Sequence, residues 1–205
     1  MDSNQGYKNR ALANLEGKWG TAAILSLIYF ALSEGISWVV TTPMGNNTTI
    51  SVSTQGFWEL VCLPLGWGFT VFFLNMIRHE DISYERLFDG YKDFVRVFLT
   101  GFLCVLAVVI GCIFFIVPGI IAALMFSQVE YILKDDKEIS AADALTKSMK
   151  MMEGHKMELF WLMLSFIGWF ILACLTFGIG FLFLAPYFNT TMAHYYEDLK
   201  AEQAL

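Results

Sequence analysis

Residues 97–133 read VFLTGFLCVLAVVIGCIFFIVPGIIAALMFSQVEYIL, with Glu130 as the one charged side chain. One crossing of a bilayer core takes about 20 apolar residues, so this run is too long for one helix and long enough for two. The break falls at Val117-Pro118-Gly119. Proline is well tolerated in a first helical turn, where its missing N–H has no partner in any case. Pro118-Gly119 therefore reads as a tight hairpin turn between Val97–Val117 and a helix from Pro118 to about Leu133.

Four more apolar runs lie outside this pair. They are Trp19–Val40, Gly56–Ile77, Met157–Phe177 and a stretch from Gly180 to near Tyr196. Thr176-Phe177-Gly178-Ile179-Gly180 reads as the turn between the last two. The expectation is an all-α membrane protein, a single integral domain over residues 1–205 with six transmembrane helices. Composition agrees: 57% of residues are hydrophobic and 16% charged, against about 25% charged in an ordinary soluble domain. Met1 to Lys18 is polar and carries no cleavage-site pattern, so the first run reads as a retained span.

The thirteen basic residues give the orientation. Lys8, Arg10 and Lys18 precede the first span. Arg78, Arg86, Lys92 and Arg96 lie between the second and third, and Lys134, Lys137, Lys147, Lys150 and Lys156 between the fourth and fifth. Lys200 follows the sixth, and the three opposite connections hold none. Positive residues mark the cytoplasmic side. Both termini are therefore expected in the cytoplasm. The net charge of −6 implies no affinity for nucleic acid.

The cytoplasmic segments repeat. Glu16-Gly17-Lys18, Asp89-Gly90-Tyr91-Lys92 and Glu153-Gly154-His155-Lys156 each stand before an odd-numbered span. Each follows an amphipathic stretch, best formed at Ile139, Ala142, Leu145, Met149 and Met152, where Ser140 and Asp143 supply a capping-box-like start. Pro64, Pro118 and Pro186 each fall near the start of a hairpin's second helix. The unit is an interfacial helix, a glycine break and a hairpin, over residues 5–80, 81–138 and 139–200. Parallel repeats of this kind imply a pseudo-threefold axis along the membrane normal.

No nucleophile–base pair, phosphate loop or metal-ligand spacing is visible, and no cofactor is implied. Cys62, Cys104, Cys112 and Cys174 lie in apolar runs and read as small buried hydrophobes. Ionisable and polar groups inside spans are costly in lipid and point to function by default. Those are Glu130, Gln128, Asn75 and Glu34, with Lys134 placed at i+4 to pair with Glu130.

The last third of the chain carries a family resemblance. Ser140, Ala144, Leu145 and Ser148 lead into Met152-Glu153-Gly154-His155-Lys156, followed by Leu164-Ser165-Phe166-Ile167-Gly168-Trp169, Gly178-Ile179-Gly180, Pro186-Tyr187 and Tyr195-Tyr196. With Gly17-Lys18-Trp19 and Leu87 to Phe94, these blocks resemble an uncharacterised family of bacterial integral membrane proteins, a domain of unknown function. That family is distantly similar to the membrane domain of some glycerophosphodiester phosphodiesterases, whose catalytic domain has no counterpart here. The resemblance implies a bacterial cytoplasmic membrane protein and no mechanism. The expected role is non-enzymatic, with membrane lipid, a second copy or another membrane protein as partner. The alternative is a small transporter or channel built around Glu130.

Overall fold

A computed structural model describes residues 2–35 and 48–203. Among them every regular element is helical. The helices are α1 (Asn4–Leu15), α2 (Trp19–Phe30, continued by a π-helical turn Ala31–Gly35), α3 (Thr48–Ile77), α4 (Asp89–Lys92, entered through a 3-10 turn Tyr84–Phe88), α5 (Phe94–Phe114) and α6 (Ile116–Phe126). They continue as α7 (Val129–Asp135), α8 (Ala141–Met151), α9 (Lys156–Leu164), α10 (Ile167–Leu175) and α11 (Phe181–Gln203).

Among the described residues, three segments are long and apolar enough to cross a membrane: Phe94–Ile113, Ile116–Asp135 and Lys156–Leu175. Only 11%, 39% and 22% of them is buried within the protein. Val95, Ile113, Phe115, Trp161 and Leu175 are largely exposed on the outer surface. Water would not tolerate that much contiguous apolar surface on a monomer. The second and third segments are each two short helices in line. They break at Ser127–Gln128 and Ser165–Phe166.

α2 and the Val61–Ile77 half of α3 are shorter apolar helices. α11 is the hub, packed against α1, α2, α3 and α10. It buries Leu184, Tyr187, Thr190, Thr191, Tyr195 and Tyr196. Its neighbours enclose it, so Thr190 and Thr191 are buried and Asn189 and His194 half-buried.

The first stretch quoted folds as two helices, with the reversal shifted. The chain turns at Phe115, one residue in extended backbone (φ −164°, ψ 154°), and Pro118-Gly119 already lies in the first turn of α6. Gly119 serves closeness instead. A Cβ there would run into Cys112, and one on Gly111 would press on Gly119. The two glycines let α5 and α6 meet backbone to backbone. Pro64 and Pro186 also differ from expectation, since both lie inside helices, α3 and α11. α3 starts at Thr48, so residues 48–55, which the six-span reading leaves in the connection between the first two spans, are helical. Residues 36–47, the end of the expected first span and the start of that connection, are outside the described residues.

The motif glycines divide into two kinds. Gly17 and Gly154 adopt φ 76° and 87°, the left-handed conformation that ends a helix and redirects the chain. Gly90 does not. It is buried inside α4, where a Cβ would strike the Pro64 carbonyl of α3. Gly68 of α3 lies in the same way against the Leu87 backbone. The first and third copies are turns into a following helix, and the second is a docking contact.

α8 starts as its sequence predicts. The Asp143 amide donates to the Ser140 hydroxyl oxygen at 3.2 Å, and that hydroxyl donates to the Asp143 carboxylate at 2.7 Å. α8 buries Ala141, Ala144, Ser148 and Met151, and the Ser148 hydroxyl ties it to α6 by donating to the Met125 carbonyl at 2.7 Å.

Candidate functional site

The break at Ser127–Gln128 opens a recess of about 310 Å³ between α3, α5 and α7. Trp67, Thr100, Cys104, Ser127 and Glu130 supply its polar groups, and Leu63, Val97 and Val105 are among its apolar walls. The Trp67 indole N–H donates to the Glu130 backbone carbonyl at 2.9 Å, fixing α3 to α7. The Thr70 hydroxyl faces the Glu130 carboxyl. Glu130 borders this recess and keeps an exposed surface.

The ion pair expected between Glu130 and Lys134 does not form. Lys134 turns to Glu80, with Nζ 3.6 Å from the carboxylate. Among the described residues no cation lies within ion-pair distance of Glu130. The reason is local: α7 begins at Val129, so Glu130 sits in its first turn facing the recess while Lys134 lies in its last, beside the α3–α4 connection.

The other intramembrane candidates separate. Gln128 is fully buried beside Glu130, its amide N–H₂ donating to Ser127 at 2.8 Å and its carbonyl oxygen unpartnered. Asn75 is buried at the end of α3, donating to the Asp81 carbonyl at 3.4 Å, and does not line the recess. The Glu34 side chain is outside the described residues. Cys112 and Cys174 are exposed on outward faces, and Cys62 and Cys104 half-buried, so the cysteines are not the buried packing residues expected.

Of the motif residues, Glu16 and Glu153 are exposed. Asp89 is enclosed, accepting from Arg86 at 3.0 Å and Lys92 at 2.6 Å. Burial pushes the Asp89 carboxyl up, and these two cations outweigh it, holding it below the usual range.

A second polar centre joins helix ends far apart in sequence. The Arg78 guanidinium grips both Asp135 oxygens, at 2.5 and 3.0 Å, and donates to Glu197 at 2.7 Å. Tyr196 and Lys200 donate to the same Asp135 carboxylate at 2.8 and 2.6 Å. Burial disfavours the Arg78 charge, but the bonds to Asp135 and Glu197 exceed that and raise its pKa above the ordinary value. α1 is held likewise: Arg10 forks onto Asp198 at 3.1 and 2.7 Å, and Asn14 lies 2.9 Å from His194. Sequence reading missed both centres. Charge counting grouped the residues into connecting segments without pairing them.

The family described as Protein of unknown function (DUF975) matches residues 101–203. That match covers half of the chain. The chain belongs to this family. The matched region runs from α5 to the end of α11, so in this DUF975 member it includes the Glu130 break, the Ser165–Phe166 break and the hub helix. No curated protein and no solved structure matches the chain.

Proposed function

We propose that this DUF975 member is a multi-pass protein of the bacterial cytoplasmic membrane, with six spans and both termini in the cytoplasm. Its three hairpins descend from one repeated unit around a pseudo-threefold axis. Its role is non-enzymatic: it engages lipid of the cytoplasmic leaflet, or a membrane partner, through its amphipathic segments. The observation that carries this reading is the set of long apolar segments left uncovered by the chain's own packing. The amphipathic α8 supports the cytoplasmic-surface role, since its exposed side carries Lys147 and Lys150 beside Met149.

Single cysteines at positions 49 and 83, in a background with the native cysteines replaced, test the topology. An impermeant maleimide added to intact cells should label position 49 and spare position 83. The reverse pattern overturns the orientation, and labelling at both overturns the span count. Binding of the purified protein to liposomes cannot test an integral protein's surface role, but co-purified lipid can. Enrichment of anionic lipid over the membrane average is expected.

A second reading is a small transporter. It is favoured by the accessible recess at a break in the second long segment, where discontinuous helices of transporters place their sites. Reconstituted vesicles that show no Glu130-dependent flux of any small cation sink it.

A further inference from the structure

We propose that the Glu130 recess binds a small amphipathic cation, a protonated amine carried on an apolar body. The inference deepens the transporter reading by naming the ligand class, though binding itself does not require transport.

The hydrogen-bonding groups around the recess have mostly spent their protons. The Thr100 hydroxyl donates to the Arg96 carbonyl at 2.8 Å. The Ser127 hydroxyl donates to the Leu124 carbonyl at 2.8 Å, and the Gln128 amide fills one of its lone pairs. The Trp67 N–H is given to the Glu130 carbonyl. What remains facing a ligand is the Glu130 carboxylate, hydroxyl lone pairs and the indole π-surface. An anion would meet almost no donor there, and a neutral acceptor would fare little better. An ammonium group supplies N–H donors, a positive charge and a partner for the indole face.

The charge balance points the same way. The Glu130 carboxylate borders apolar walls with no ion-pair partner, and the nearby cations are committed elsewhere. Lys134 serves Glu80, and Arg96 donates to the Leu133 and Asp136 carbonyls at 3.2 and 2.8 Å. A bare hard metal ion would call for several more oxygens than the recess offers. Its Leu63, Val97 and Val105 walls suit a hydrocarbon body, and about 310 Å³ is at the small end of ligand pockets.

Three probes of nearly one shape test this: 2-phenylethylamine, 2-phenylethanol and phenylacetate. Each is titrated calorimetrically into the full-length protein in nanodiscs, with empty nanodiscs subtracted. The amine should bind about tenfold or more tightly than the alcohol, the range expected for a hydrogen bond to a charged group, and phenylacetate more weakly than either. Glu130→Gln should erase the amine's advantage, and Glu130→Asp should keep part of it. Val105→Trp fills the recess mouth without touching Glu130 and should also weaken amine binding, which covers the case of a Glu130→Gln chain that does not fold. Equal binding of amine and alcohol overturns the proposal. So does a folded Glu130→Gln that binds amine like the parent, or a Val105→Trp that does. Vesicle flux of the same amine separates the two readings. Glu130-dependent binding without flux keeps the site and sinks transport, whereas flux that survives Glu130→Gln sinks the site.

Discussion

The Lys8 ammonium lies 2.8 Å from the carbonyl oxygen of Ser165, 157 residues later in the chain. It also stands 4.4 Å above the Phe166 ring. Ser165 caps α9 at the break in the third long apolar segment, where the helical hydrogen-bond ladder lapses. Lys8 thus satisfies a carbonyl that the break leaves over. It is buried, and burial lowers its pKa. Lys8→Ala should lower the thermal midpoint in detergent, by about 1–3 kcal/mol in stability, since a buried acceptor loses its partner. An unchanged midpoint would show that water replaces the ammonium.

Asp135 receives Arg78, Tyr196 and Lys200 at once. Asp135→Asn keeps the shape and removes the charge, leaving Lys200 without its carboxylate and Arg78 with Glu197 alone. The expected loss is about 2–3 kcal/mol, because the side chains of Asp135 and Arg78 are largely enclosed. Arg78→Lys should cost a comparable amount, since an ammonium cannot fork across two oxygens. Chemical denaturation followed by tryptophan fluorescence reads both.

Asp89 gives a pH dependence with a definite sign. Its carboxyl is held below the ordinary aspartate value of about 3.9, so the folded state favours the charged form. Its contribution is fully present above that value and disappears as pH falls through the lower folded value. Midpoints measured from pH 6 down to about 2 should fall more steeply for the parent than for Asp89→Asn. Parallel curves would refute the pairing with Arg86 and Lys92.

The two kinds of motif glycine predict different alanine effects. Gly90→Ala puts a methyl group into the Pro64 carbonyl and should cost about 1–3 kcal/mol by overpacking. Gly17→Ala meets no atom within 4 Å, and only the positive φ opposes it, a cost of about 1–2 kcal/mol. Replacing Pro64 should not rescue Gly90→Ala, because the obstacle is a backbone oxygen. A Gly90→Ala chain with the parent's midpoint would show that α4 can lift off α3.

Much of the helical plan was legible in the residues. Val97 to Leu133 had to be a hairpin because its length exceeds one crossing. The Ser140 cap and the turn at residues 176–180 followed from side-chain chemistry within a few residues. The reversal at Phe115 was displaced from Pro118 because proline fits as readily inside a first turn as before it. The motif's triple occurrence was visible, but its divided use was not. Gly90 differs from Gly17 and Gly154 only through what lies opposite it.

The same division holds for the candidate site. Glu130 could be named from one charge in an apolar run. Its i+4 neighbour suggested a partner that the fold denies it, because Lys134 turns to Glu80. Trp67, Thr100 and Cys104 reach the recess from two other helices. Sequence by itself determined most of the helices, the grouping of thirteen basic residues into a few connecting segments and the cost of an acid among apolar neighbours, since these depend on length, spacing and transfer energy along one chain. Only the tertiary structure decided which carboxylates are paired, Asp135 and Asp89, and which is left open, Glu130. Charges find one another across helices, at distances set by packing rather than by position in the chain.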